Sequence, residues 1–249
     1  MPRHVPRHDR DAGGPADVLA AKASLREEVW AAMSAARVAR FPGAAGRIPN
    51  FTGAEAAAEQ LRGLPEWQQA RTLKANPDLP QLPVRQRALE DGKTVYMAVP
   101  RLAETAPFFA LDPDHLSEPP RKAASITGAA RSARRVSLAD LAPVDLVVMG
   151  SVAVGEDGAR LGKGGGYSDL EYAIAWEAGA GRALPMSSIG LPASMVSRAA
   201  RLGCSSDCAA RRSSFRSSWV ISDKVNSEGP MFLLANQDGR CFSVHSKSV

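Results

Sequence analysis

Cysteine is scarce: three in 249 residues, an odd number that defines no disulfide framework. No apolar run approaches the roughly 18–20 residues that a membrane-spanning helix needs. The opening stretch, MPRHVPRHDRDAGGPAD, has no apolar core of the kind a secretory leader carries. These absences make a cytoplasmic, reducing location the expectation. There are only four histidines, and His4, His8 and His115 fall in loop-like sequence, where solvent exposure is expected rather than catalysis. No internal repeat is found. The phosphate-binding pattern G-x-x-x-x-G-K-[ST] is missing, and a G-x-G-x-x-G dinucleotide fingerprint fails because Tyr167 stands at its third glycine.

What is present describes a globular chain. Hydrophobic residues make up 45% and charged residues 23%. The net charge is +5 and the isoelectric point about 9.4, which suits anionic small ligands or weak nucleic-acid contact without establishing either.

Residues 1–17 are rich in Pro, Arg and Gly and are expected to be disordered. From Asp17, a possible N-cap, Leu25, Val29 and Met33 recur at helical spacing, which predicts a helix ending before Pro42. A turn at 47–53 leads to a second helix ending at Gly63, a short helical PEWQQA and a possible strand RTLKA. PVRQRALEDG reads as a helix and KTVYMAVP (93–100) as a buried strand. Residues 103–135 look irregular, and SLADL (137–141) starts a short helix. VDLVVMG (144–150) is apolar throughout, as a central strand should be. SDLEYAIAWEAG (168–179) follows as a helix capped by Ser168 or by the loop before it. Alternating strands and helices predict an α/β fold, a three-layer α/β/α sandwich with a mainly parallel sheet. Trp30, Trp67 and Trp176 sit in helical segments and are expected in the core.

One stretch calls for chemistry. RLGKGGGYSDLEY (160–172) packs four glycines into residues 162–166, with Arg160 and Lys163 beside them and a helix beginning at once. Glycines let successive backbone N–H groups turn inward as an anion nest, and the helix N-terminus adds partial positive charge. Asp169 could hold Mg²⁺ bridging phosphates. An ordinary flexible turn is the competing reading. Lys22 and Arg26, four apart on the first helix, put two cations on one face, either for an anion or simply for solvent.

The segments KASLR (22–26), DLVV (145–148) and GARLGKGGGYSD (158–169) resemble the 5-formyltetrahydrofolate cyclo-ligase family, also called methenyltetrahydrofolate synthetase. RIPNF and GSVAVGEDGARLGKGGGYSDLEYA look closer still to its divergent branch, the methenyltetrahydrofolate synthetase domain-containing proteins. The resemblance covers about residues 20–180. It implies an ATP- and Mg²⁺-dependent ligase of one-carbon metabolism that converts 5-formyltetrahydrofolate to 5,10-methenyltetrahydrofolate. It places Lys22 and Arg26 on the nucleotide. Arg160, Leu161, Gly162, Lys163, Gly164, Gly165, Gly166, Tyr167 and Ser168 would wrap the phosphates, and Asp169 would serve the metal. Arg160, Lys163 and Tyr167 carry the catalytic expectation, with Tyr167 lining the shared pocket. It divides the chain into a tail (1–17), a cyclo-ligase-like domain (18–183) and an atypical Ser/Arg-rich segment (184–249).

The sequence departs from the family in three places. Ser168 replaces a second tyrosine before the aspartate. Lys74 stands near where the family has a folate-contacting glutamate, which predicts poor folate turnover and a gain in Lys74→Glu. After residue 184 the periodicity fails, in a way that would fit a frameshifted C-terminus, and only PMFLLANQDGRCFSVH hints at a hairpin with a turn at 237–239. The rival reading is a relative without folate turnover that binds nucleotide or RNA. Cys204, Cys208, Cys241 and His245 permit a Cys₃His zinc site, with unpaired thiols as the alternative. RRSSFR (211–216) could touch nucleic acid or be a solvated basic run.

Overall fold

The computed structural model describes residues 14–102, 104–154, 159–178, 186–192, 219–226, 229–235 and 241–244. Helix α1 (Pro15–Ala35) buries Val29, Trp30 and Met33. Its cap is Gly14, whose N–H donates to the Asp17 carboxylate at 2.9 Å. Asp17 therefore lies within the first turn instead of preceding it, because Pro15 already supplies a helical φ at the first position. Helices α2 (Ala54–Arg62) and α3 (Pro65–Gln69) follow, then strand β1 (Thr72–Ala75). Helix α4 (Leu82–Glu90) ends at Gly92, whose φ of 72° an L side chain rarely adopts. Next come β2 (Thr94–Ala98) and β3 (Phe108–Leu111), the short helices α5 (Pro120–Ala123) and α6 (Ile126–Ser132), and β4 (Arg134–Val136).

The stretch 103–135 is thus not irregular. Two strands, two short α-helices and a 3-10 turn (Pro113–His115) fall in it, each too short to leave a legible period. SLADL is a turn and not a helix: the Ser137 hydroxyl donates to Asp140 at 2.6 Å, the local side-chain bonding by which serine and aspartate compete with helix. Strand β5 (Leu146–Val154) runs four residues beyond Gly150, its nine residues all buried, and β6 (Arg160–Leu161) folds back on its end. Helix α7 (Tyr167–Ala178) and strands β7 (Met186–Pro192), β8 (Trp219–Asn226), β9 (Gly229–Ala235) and β10 (Cys241–Val244) complete the described elements.

All ten strands form one sheet in the order β10-β9-β8-β7-β5-β1-β2-β3-β4, with β6 paired to β5. Its centre, from β8 to β2, is parallel, and both edges are antiparallel. The β9–β10 hairpin stands where the sequence suggests it, while its turn residues and most of the zinc set (Cys204, Cys208, His245) lie outside the described residues, as do 1–13 and RRSSFR. Strands β7 and β8 lie beyond what periodicity reveals.

Period-2 alternation sorts the strand residues between two cores. Leu73, Val95, Met97, Leu146 and Val148 pack with α1–α4, while Tyr96, Phe108, Val147 and Met149 pack toward Tyr172 and Ile174 of α7. Helices therefore cover both faces, the α/β/α layering expected. Trp30 and Trp67 are buried as anticipated, Trp67 completely. The side chain of Trp176 lies outside the described set. His115 is exposed and pairs with Asp112.

Candidate functional site

The chain passes from β1 to β2 on one side, then returns to place β5 on the other side of β1. This reversal creates a switch point, and in open α/β sheets the crevice beyond the carboxyl ends of strands at such a point is where ligands bind. A cavity of about 900 Å³ opens there. Asn76–Leu79 reach it from the end of β1, Val99 and Pro100 from the end of β2, and Met149 from β5. Helix α1, the 42–48 turn, the glycine loop and the first turns of α7 supply the other walls.

The residues expected to hold nucleotide and metal line this cavity: Lys22, Arg26, the whole run Arg160–Ser168, and Asp169. Arg26 is the link between α1 and the loop. Its Nε donates to the Gly162 carbonyl at 2.7 Å, and a Cβ on Gly164 would stand 3.5 Å from its guanidinium carbon. Gly164 and Gly166 have φ of 103° and 69°, so the turn requires glycine at both. A Cβ on Gly165 would meet the Tyr167 ring at 3.1 Å. The loop is a fitted strap, not a slack turn.

Of the two caps the sequence allows for α7, the loop is the one found, and one expectation, that for Lys74, changes. Tyr167 already begins α7, so Ser168 cannot cap it. The cap is the loop itself, with the Gly166 carbonyl accepting from Asp169 and Leu170 N–H at 3.1 Å each. Ser168 instead accepts from Asn76 Nδ2 at 3.1 Å. Lys74, expected to face a ligand, is fully buried on β1 and forms an ion pair with Glu171 of α7. The cavity is lined by Glu171 and not by Lys74. The reason is strand alternation: Lys74 points to the α7 face of the sheet, where a carboxylate awaits it.

Arg160 is held before any ligand arrives. It donates to the Asp169 carboxylate at 2.6 Å, to the Ser151 hydroxyl at 3.3 Å and to the Gly150 carbonyl at 3.2 Å. Leu161 is buried and can contribute only its backbone to the strap. Lys163, exposed on the strap, acts electrostatically on Asp78 across the cavity.

Asn76, Asp78 and Glu171 escaped sequence reasoning. Asn76 is a junction: its Oδ1 accepts from Gly150 N–H at 3.0 Å, and its Nδ2 donates to Glu171 at 2.6 Å. Burial raises the Asp78 carboxyl above its ordinary value. Lys163 opposes that rise, Glu171 adds to it, and Arg85 and Lys74 oppose it further. The available signal was the polar run N-P-D directly after a strand, the position where parallel sheets present their ligands.

Five basic and three acidic side chains line the cavity. Lys22 and Arg26 come from α1 and Lys163 from the strap, and the acids adjoin them: Asp169 pairs with Arg160, Lys163 acts on Asp78, and Asn76 Nδ2 joins Ser168 to Glu171. Such a site can hold a polyanion through its cations and hydrogen-bond donors of a ligand through its carboxylates. Asp169 offers one carboxylate, within the one or two that a Mg²⁺ ion shared with phosphates commonly takes from protein. Among the described residues no cluster of three or more metal-ligating side chains occurs, and no helix is long and apolar enough to cross a membrane.

Residues 18–191 match the family model described as the 5-formyltetrahydrofolate cyclo-ligase family. Over 167 residues the chain is 43% identical to a methenyltetrahydrofolate synthase domain-containing protein of Bos taurus, covering 64% of this chain and 42% of that one. The Mus musculus protein of the same name is 44% identical over 167 residues, covering 64% and 43%. The Homo sapiens protein is 37% identical over 174 residues, covering 67% and 44%. The chain thus spans little more than two fifths of the length of these relatives.

Proposed function

The chain belongs to the 5-formyltetrahydrofolate cyclo-ligase family, and we propose that it converts 5-formyltetrahydrofolate to 5,10-methenyltetrahydrofolate at the expense of ATP. The observation that carries this reading is the fitted glycine strap, fastened by Arg26 and opening α7, on the wall of a cavity large enough for two ligands. In the reaction the formyl oxygen attacks the γ-phosphorus and ADP leaves. Folate N10 then attacks the activated carbon, its proton departs, and phosphate is expelled as the ring closes. No protein nucleophile is needed. The protein aligns two ligands and neutralises phosphate charge, a task suited to Lys22, Arg26, Lys163 and the strap N–H groups.

Mg²⁺ bound with the phosphates would further neutralise them, and Asp169, on the cavity wall, would be the carboxylate to hold it. Arg160 Nη1 donates to Asp169 Oδ1; if a metal took that oxygen, Nη1 would be left for the phosphates while Nε and Nη2 stay on Ser151 and Gly150. Asp169 is exposed while Arg160 is largely covered, so the carboxylate is the mobile partner in this exchange.

The direct test follows the absorbance of 5,10-methenyltetrahydrofolate formed with and without ATP. ATP-dependent product supports the reading. ATP binding without product would leave a nucleotide-binding relative that has lost turnover.

Lys163→Ala removes a charge-assisted phosphate contact and is expected to weaken ATP binding by about 1.5–3 kcal/mol. Calorimetric titration of both proteins measures it, and equal affinities would take phosphate off the strap. Asp169→Asn keeps the shape and loses the charge. Nucleotide affinity in EDTA should stay near the wild-type value, while the gain on adding Mg²⁺ should vanish. A mutant that responds fully to Mg²⁺ would remove Asp169 from the metal site.

A further inference from the structure

We propose that Glu171 sets specificity for the second ligand: its carboxylate accepts hydrogen bonds from N–H donors on the ligand's ring, and Lys74 is the residue that positions it. This inference rests on the folate reading and names what recognises the folate in the cavity.

Glu171 is 3% exposed, yet it lines the cavity. A carboxylate so placed needs its charge balanced and its lone pairs occupied. The Lys74 ammonium supplies the balance from β1 without itself lining the cavity. Asn76 Nδ2 adds a hydrogen bond at 2.6 Å, and both contacts fall on the same oxygen, Oε2. A carboxylate has about four acceptor sites, so this arrangement holds the group in place and leaves acceptor capacity on the other oxygen. Asp78 lines the same cavity, a second oxygen acceptor.

The two kinds of charge ask for different ligand groups. Lys22, Arg26 and Lys163 take the anion. The Glu171 carboxylate repels phosphate and matches a planar heterocycle bearing amine and lactam N–H groups. Lys74 cannot accept a hydrogen bond, and it does not reach the cavity. Its effect is transmitted through Glu171.

Removing one partner alone leaves a buried charge, so the main test removes both. Lys74→Met/Glu171→Leu replaces the pair with apolar side chains of similar volume, which proteins commonly tolerate. Its KM for 5-formyltetrahydrofolate should rise at least about tenfold, the scale of an unmet polar contact, with the KM for ATP within about twofold of wild type. The exchange Lys74→Glu/Glu171→Lys restores the ion pair but turns a donor toward the cavity, and it should bind ATP while losing the folate effect entirely. Wild-type protein supplies an independent measurement. A 2-amino-4-oxopteridine should compete with 5-formyltetrahydrofolate at least about tenfold better than its N-methylated form, for the same reason. An unchanged folate KM in the double variant, or equal competition by the two pteridines, overturns the proposal. If wild type makes no methenyl product at all, the functional reading fails first. If wild type turns over and the double variant matches it, only the role of Glu171 fails.

Discussion

Lys74→Met is expected to lower the free energy of unfolding by about 3–5 kcal/mol, the scale at which breaking a buried ion pair from one side registers. Lys74 and Glu171 are both almost wholly removed from water, at 0% and 3% exposure. The ammonium on β1 is the charge facing Glu171, and methionine fills the space without supplying it. Glu171 must then stay buried without its counter-charge or drag α7 toward solvent. The same logic reverses what the sequence suggested for Lys74→Glu. That substitution sets two carboxylates against each other within the sheet–helix interface, so it should destabilise at least as strongly and improve nothing. Urea unfolding monitored by tryptophan fluorescence tests both, with the denaturant slope checked for constancy. The double variant Lys74→Met/Glu171→Leu should recover most of the loss. A loss below about 1 kcal/mol in Lys74→Met would mean that the pair is not buried in solution.

Long periodic elements were legible in the sequence, and so was the strap. Helix α1, β5 and α7 announce themselves by unbroken apolar spacing, and the glycine run declares its own geometry. The segment 103–135 did not, because β3, β4, α5 and α6 hold only three to seven residues each, fewer than either period needs to repeat. Lys74 misled for a different reason. One residue taken alone carries no information about its partner, and Glu171 lies 97 positions away in the chain. The two-residue period of β1 shows only that Lys74 faces away from Leu73 and Ala75, and all three are buried. What it meets there depends on where α7 lies, and α7 lies there because the strap and Asn76 hold its first turn. Asp78 was equally silent: an acid after a strand is common, and only the crossover of the chain between β1 and β5 turns that strand end into a ligand site.

The loop that carries Asn76 and Asp78 depends in turn on one guanidinium. Arg85 of α4 is 1% exposed and donates to four backbone carbonyls: to Ala124 at 2.9 Å, to Asp78 at 3.1 Å, to Pro77 at 3.3 Å, and to Asn76. Pro77 has no N–H to offer a ladder, and of these carbonyls the short 3-10 turn Leu79–Gln81 supplies a backbone donor only to that of Asp78, from Gln81 at 3.1 Å. Burial lowers the Arg85 pKa to about 10 and Asp78 opposes the fall, which leaves the group charged at neutral pH. Arg85→Lys is therefore the telling substitution. Lysine keeps the charge but offers three donors from one point in place of a fork, and it cannot span carbonyls that lie on two separate segments. At least one or two buried carbonyls lose their partner, at about 1–3 kcal/mol each. We expect unfolding to become easier by about 2–4 kcal/mol and 5-formyltetrahydrofolate turnover to fall, because Asn76 and Asp78 lose their fixed approach to the cavity. Arg85→Ala should cost more in stability, since it also empties the volume of the side chain. Denaturation and turnover measured together separate the two effects. Arg85→Lys at wild-type stability and wild-type folate KM would show that the loop holds its shape without the guanidinium fork.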